Sequence, residues 1–263
     1  MNTITIVSLM SDVHHTFYQG VAEYLARRTG LAMAFVTDRP WKERERMLDG
    51  GLAQVAFICG LPYAQRSGWL DLLAAPVLRG ARYGDRPVYF SDVVVRRDSS
   101  FTSFLDLRGA TWAYNEPDSW SGCVALRAHI AARGETRNYC GRIVESGAHL
   151  RSLQMILDGA IDAAAIDSTV LELELARRPE LAAQIRIVDT IGPNTLPPAV
   201  ARREVSEAIK QQISDTLLQM HEDPAGAAIL AAGMAARFTA IHDADYDDIR
   251  CKAQLAERVL FDI

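Results

Sequence analysis

Between Thr111 and Gly134 the chain reads TWAYNEPDSWSGCVALRAHIAARG, a strand-like run that passes through Ser119-Trp120-Ser121-Gly122 into a helix-like one. The first N–H groups of a helix have no internal partner, and the macrodipole places partial positive charge there. Serine hydroxyls at that point add donors, so such a stretch can hold an oxyanion without a lysine. The same serines also serve as ordinary helix caps, and spacing alone leaves both roles open. ESGAHLRSLQMILDG (145–159) repeats the arrangement: a strand, then Ser146-Gly147, then His149 in the first turn of the next helix. A histidine there either donates to an anion at the same strand edge or stays a surface or cap residue. Asp167 closes the run AAAID. Its carboxylate accepts from a ligand ammonium or hydroxyl, or caps the helix starting near Ser168.

These residues need strands that end together and helices that begin there. TITIVSLM (3–10), LAMAFVTD (31–38) and AQVAFICG (53–60) read as strands, separated by helical runs over 16–28 and 42–49 that stop at Gly30 and Gly50-Gly51. Near-continuous apolar character marks strands covered on both faces. The pattern restarts after PVYFSDVVVRRDSS (87–100), with strands at 109–115, 141–146, 161–167 and 185–190 and helices at 122–133 and 149–157. Helical spacing resumes at Val205, Ile209, Ile213 and Leu217 and continues nearly to the end of the chain. Alternating strands and helices predict an α/β fold with right-handed crossovers. Two such units predict two lobes, residues 1–90 plus 200–263 and residues 91–199, joined by extended crossovers near 87–97 and 190–202. Ligands of open α/β sheets sit beyond the carboxyl ends of strands, so the expected site is a cleft between the lobes.

Composition removes other classes. With 263 residues, 49% apolar and 23% charged, the chain can bury a substantial core. A net charge of −5 argues against a general nucleic-acid or anionic-membrane binder. The longest apolar run, Pro224 to Ala236, is shorter than a membrane span and predicts a buried helix, so no membrane insertion is expected. The start MNTITIVSLMSD has no basic n-region, h-region or cleavage site, which predicts no signal peptide in this chain. Cys59, Cys123, Cys140 and Cys251 are scattered, which predicts buried thiols rather than a metal site or disulfide framework. No G-x-S-x-G, P-loop, G-x-G-x-x-G or H-E-x-x-H occurs, so the common enzyme signatures are missing.

DLRGATWAYNEPDSWSG (106–122), ESGAHLRSLQMILDGAIDAAAIDS (145–168), GLPYAQ (60–65) and FTAIHDADYDDIR (238–250) together resemble the PhnD-like phosphate, phosphite and phosphonate-binding components of ABC transporters. The likeness spans most of the chain and implies a two-lobed type 2 periplasmic-binding-protein fold. The family's Ser-Thr-Ser-Gly grip matches Ser119, Ser121 and Gly122, with Trp120 in place of the threonine. Its Ser-Gly-x-His motif matches Ser146, Gly147 and His149, its cleft aspartate matches Asp167, and its first-lobe tyrosines match Tyr63 and Tyr89. Trp120 trades a hydroxyl for a large flat face, which points to a ligand with an organic substituent, unless the indole packs into the lobe. The start of the chain departs from the family's proline-rich pattern, and His14 and His15 are expected in a solvated loop.

The resemblance implies a protein that captures a small oxyanion, a phosphonate or related organic anion, for an ABC transporter permease. It implies no cofactor, no metal and no nucleic-acid partner. Such a protein works in the periplasm if a leader is removed, and a chain without export stays cytoplasmic. The alternative from another class is a cytoplasmic enzyme on the same fold, like those of the futalosine route to menaquinone, with His149 or Asp167 as general base on a carboxylate substrate. A sensor lobe of a regulator would need a DNA-binding segment, and the sequence offers none.

Overall fold

The computed structural model of the protein describes residues 3–261, so residues 1, 2, 262 and 263 of the expected lobes lie outside it. In chain order, β1 (Ile4–Ser8), α1 (His15–Thr29), β2 (Met33–Phe35), α2 (Trp41–Asp49), β3 (Val55–Phe57), α3 (Gly60–Arg66) and β4 (Leu70–Leu78) come first. Then follow β5 (Val88–Arg96), β6 (Thr111–Tyr114), α4 (Ala125–Ala132), β7 (Arg142–Glu145), α5 (His149–Leu157), β8 (Ala163–Asp167), α6 (Ser168–Arg177) and β9 (Ile185–Thr195). β10 (Ala199–Arg202), α7 (Glu207–Leu218), α8 (Pro224–Ala232), β11 (Ala235–Thr239) and α9 (Asp247–Ala256) complete the chain. Among the described residues, no helix is long and apolar enough to cross a membrane.

Two compact units result. One holds the chain up to Val88 together with Thr195–Tyr246, and the other holds Tyr89–Asn194 together with the chain from Asp247 onward. The first is built on a six-stranded sheet in the order β11-β4-β10-β3-β1-β2, with β1 parallel to β2 and β3 and with β10 and β11 antiparallel to their neighbours. Its core joins Ile6, Val55 and Phe57 of the strands to Val21 and Leu25 of α1 and Ile213 and Leu217 of α7. The second has a five-stranded sheet in the order β7-β6-β8-β5-β9, with β6 parallel to β7 and β8 and β5 antiparallel to β8. Leu153 and Ile156 of α5 meet Ala113, Ala164 and Ile166 there. Small residues along β8 let helices approach both faces, and every one of its five residues is buried.

The structure corrects several expectations. The extended crossovers expected near 87–97 and 190–202 are indeed extended but are paired sheet strands, β5, the end of β9, and β10. The chain passes between the units three times rather than twice, at Val88/Tyr89, Asn194/Thr195 and Tyr246/Asp247. The residues after 246, expected in the first lobe, belong to the second unit. Their attachment is specific: Arg127 on α4 donates to the carbonyls of Val259 (2.7 Å) and Ala256 (3.1 Å). A guanidinium at the carbonyl end of α9 is also favoured by the helix dipole. Val259 and Phe261 are buried, and the Phe261 ring lies 6.1 Å from that of Tyr114.

Smaller differences have local causes. The apolar run from 224 to 236 is not one buried helix: α8 buries Gly226 and Leu230 and exposes several alanines, and the rest of the run enters β11. His14 is buried rather than solvated, and His15 starts α1 with its ring against Phe35 at 5.3 Å. Cys123 and Cys140 are buried thiols, whereas Cys251 is exposed and Cys59 lies between.

Candidate ligand-binding site

β6 and β8 run parallel, so their carboxyl ends open on the same edge of the second sheet. After β6 the chain turns, and Ser119 N–H donates to Glu116 O at 3.2 Å. The Ser119 side chain then accepts from Gly122 N–H at 3.3 Å, so this serine is a helix cap. The first turn is wider than α: the Val124 N–H reaches Ser119 O (3.0 Å) and the Ala125 N–H reaches Trp120 O, both five residues back. Single wide turns of this kind recur at functional sites because they re-aim side chains and free backbone groups.

The loop between β7 and α5 is tied to this turn. Ser146 N–H and hydroxyl both donate to Tyr114 O, at 2.8 and 3.0 Å, and Gly147 N–H donates to Asn115 O at 2.8 Å. Gly147 has φ of +82°, a left-handed conformation that favours glycine. The Ser146 hydroxyl therefore fixes the loop, and His149 is delivered as the first residue of α5.

Three predicted residues meet here. Ser121 Oγ lies 3.1 Å from His149 Nε2 and donates to Asp167 Oδ2 at 3.2 Å. The other carboxylate oxygen, Oδ1, accepts from the Thr169 N–H (2.8 Å) and hydroxyl (2.7 Å), so Asp167 also caps α6. A serine hydroxyl has one proton. Given to the carboxylate, it leaves Oγ to accept from His149 Nε2–H, which makes Nδ1 the unprotonated ring nitrogen. Burial lowers the His149 pKa from 6.5 to about 4, so the imidazole is neutral near pH 7.

The remaining predicted residues have distinct places. Trp120 is fully buried, and its Nε1–H has no hydrogen-bond partner. Gly122 is crowded by polar side chains: a Cβ there would sit 1.9 Å from Asn115 Oδ1 and 2.8 Å from His149 Cε1. Tyr63 belongs to the first unit, where it is 2% exposed and donates its hydroxyl to Asp243 Oδ1 at 2.8 Å. Its ring lies 4.7 Å from that of Tyr246. Tyr89 is buried on β5, two residues before Ser91 and so on the same face of the strand.

Sequence reasoning missed two residues. Ser91 pairs directly with Asp167 across β5 and β8, is fully buried, and has an unpartnered Oγ. Its signal is a serine inside the apolar run VYFSDVVV. Asn115 follows β6 with a buried, unpartnered Oδ1 against Gly122. Its signal is an amide at the strand end, just where the turn begins.

The arrangement differs from a hydrolytic triad. There the carboxylate orients the imidazole and the imidazole takes the serine proton. Here the carboxylate holds the serine, and His149 Nδ1 has no partner.

Comparisons with known proteins bear on family and fold. Residues 5–246 match the sequence model of the family described as the phosphonate periplasmic substrate-binding protein of ABC transporters. The binding-protein component of an ABC phosphonate transporter from Pseudomonas aeruginosa is similar in fold, with a TM-score of 0.82, 16% identity, and coverage of 97% of this chain and 86% of that one. PhnD1 of Prochlorococcus marinus, solved with methylphosphonate, has a TM-score of 0.82, 14% identity, and coverage of 97% and 98%. A Xanthomonas citri protein solved with ATP has a TM-score of 0.76, 16% identity, and coverage of 98% of each chain. The mixed α/β architecture with two sheets is thus the type 2 periplasmic-binding-protein fold.

Proposed function

Because the chain belongs to the family of phosphonate-binding periplasmic substrate-binding proteins of ABC transporters, we propose that it captures a small phosphonate at the edge formed by Ser119–Gly122, His149 and Asp167. The observation that carries this reading is the hydrogen-bonded group of Ser121, His149 and Asp167 where three helices begin. The first N–H groups of α5 and of the wide turn supply donors, and the dipoles supply partial positive charge. The buried indole N–H of Trp120 and the hydroxyl of Ser91 are further donors whose own partners are missing from the fold. Ser119 accepts through its oxygen and keeps its own proton to give. The family likeness adds Tyr89 on β5 to the residues of this edge, whereas the Tyr63 proton is held by Asp243 within the first unit.

The function is binding without turnover, and the bound anion is handed to an ABC transporter permease. The Ser121 proton is directed to Asp167 rather than to His149, unlike the serine of a hydrolytic triad. Titration calorimetry with methylphosphonate, ethylphosphonate, phosphite, phosphate, methanesulfonate and acetate tests the reading. At least one phosphorus oxyanion is expected to bind with 1:1 stoichiometry and to be recovered unchanged. Binding confined to carboxylates, or conversion of the bound compound, would overturn the proposal.

A further inference from the structure

We propose that this site takes its ligand as the singly protonated phosphonate monoanion, with the ligand's own P–OH donating to His149 Nδ1; this rests on the function proposed above. The argument is one of hydrogen-bond polarity. The single proton of Ser121 runs to Asp167 Oδ2, so the imidazole donates through Nε2 and presents Nδ1 as an acceptor. That nitrogen is buried, on a residue 5% exposed, and has no partner. A second buried acceptor without a partner, Asn115 Oδ1, borders the same glycine as the imidazole. A phosphonate dianion offers acceptors alone and would leave both unmet beside a carboxylate. One proton on the ligand meets one of these acceptors, His149 Nδ1, and the remaining phosphonate oxygens accept from the N–H and hydroxyl groups of the edge.

Charge leads the same way. The segments that build the edge, residues 88–94, 111–122, 145–150 and 163–169, contain no lysine or arginine. Burial alone accounts for the low proton affinity of His149, so the ring meets the ligand uncharged. The other titratable groups on these strands and turns are Tyr89 and Asp92 on β5, Tyr114 on β6, Glu116 and Asp118 in the turn after it, Glu145 on β7, Asp167 on β8 and, just beyond Gly122, Cys123. Burial pushes the Tyr114 phenol up to about 12 and the Cys123 thiol up to about 11, and Glu145 accepts from the Tyr114 hydroxyl at 3.2 Å. Neither Tyr114 nor Cys123 changes charge between mildly acidic and mildly alkaline pH. The ligand does, since a phosphoryl group loses its second proton near neutrality.

Calorimetry with methylphosphonate from mildly acidic to mildly alkaline pH, in paired buffers of different ionisation heat, tests the proposal. Above the ligand's second ionisation, affinity is expected to fall about tenfold for each pH unit, with uptake of one proton for each ligand bound. Methanesulfonate, which has the same oxygens and no proton to give, is expected to bind at least about tenfold more weakly, without proton uptake. Constant or rising affinity at alkaline pH would overturn the proposal. So would tight methanesulfonate binding with proton uptake, because that proton would then reside on the protein. Failure of every phosphorus oxyanion to bind at any pH would instead overturn the function on which the proposal rests.

Discussion

Gly122→Ala is expected to reduce phosphonate affinity by at least about 100-fold while leaving a folded protein. The added methyl would sit 1.9 Å from Asn115 Oδ1 and 2.8 Å from both Asn115 Cγ and His149 Cε1. No atoms pack that closely, so the amide and the imidazole must move. Asn115 cannot retreat with its backbone, because its carbonyl accepts from Gly147 N–H and thereby holds the β7–α5 loop. Displacement of the ring breaks the 3.1 Å contact to Ser121 and turns Nδ1 away. Two lost hydrogen bonds to a charged ligand, at about 1.5–3 kcal/mol each, correspond to at least 100-fold in the dissociation constant. Overpacking of this kind costs about 1–3 kcal/mol of stability. Calorimetry together with urea unfolding separates the two effects, and near-normal affinity in the variant would show that the ligand does not use this corner.

Acid should weaken the protein through His149 in a defined window. The folded-state pKa is depressed from 6.5 to about 4 by burial. Above pH 6.5 the imidazole is neutral in both states, and the stability associated with it is fully present. Between those values the unfolded chain binds a proton that the folded one refuses, so stability falls as pH falls and levels off below the folded pKa. At 1.36 kcal/mol per pKa unit the loss amounts to roughly 3 kcal/mol. His149→Gln lacks the titration, so the stability gap between wild type and variant should shrink by about that amount from neutral pH to pH ~4. Urea unfolding across the range measures it. A gap independent of pH would mean that the imidazole is not held neutral.

Much of the fold was legible because its signals are local. Apolar runs of strand length, glycine stops and helical spacing placed β1, α1, α5 and β8. β4 was hidden by Pro76 inside LDLLAAPVL, although that proline lies in a paired strand whose partner there is Phe238. The destination of α9 was not legible, since an amphipathic helix does not declare its partner; the bonds from Arg127 decide it. Ser121, His149 and Asp167 were found because each sits where a strand yields to a helix. The direction of the Ser121 proton depends on distances between residues far apart in sequence. The places of Ser91 beside Asp167 and of Asn115 against Gly122 depend on register and on close approach, which spacing does not carry.

The central claim is that the turn Ser119–Gly122, with His149 beside it, holds the phosphoryl group. A crystal structure of the protein with methylphosphonate tests it most directly. The account predicts phosphonate oxygens within hydrogen-bonding distance of the turn and of His149 Nδ1, with the Ser121 to Asp167 bond retained. A phosphonate bound elsewhere, with the turn and imidazole untouched, would contradict it and leave Ser119 and Asp167 as helix caps.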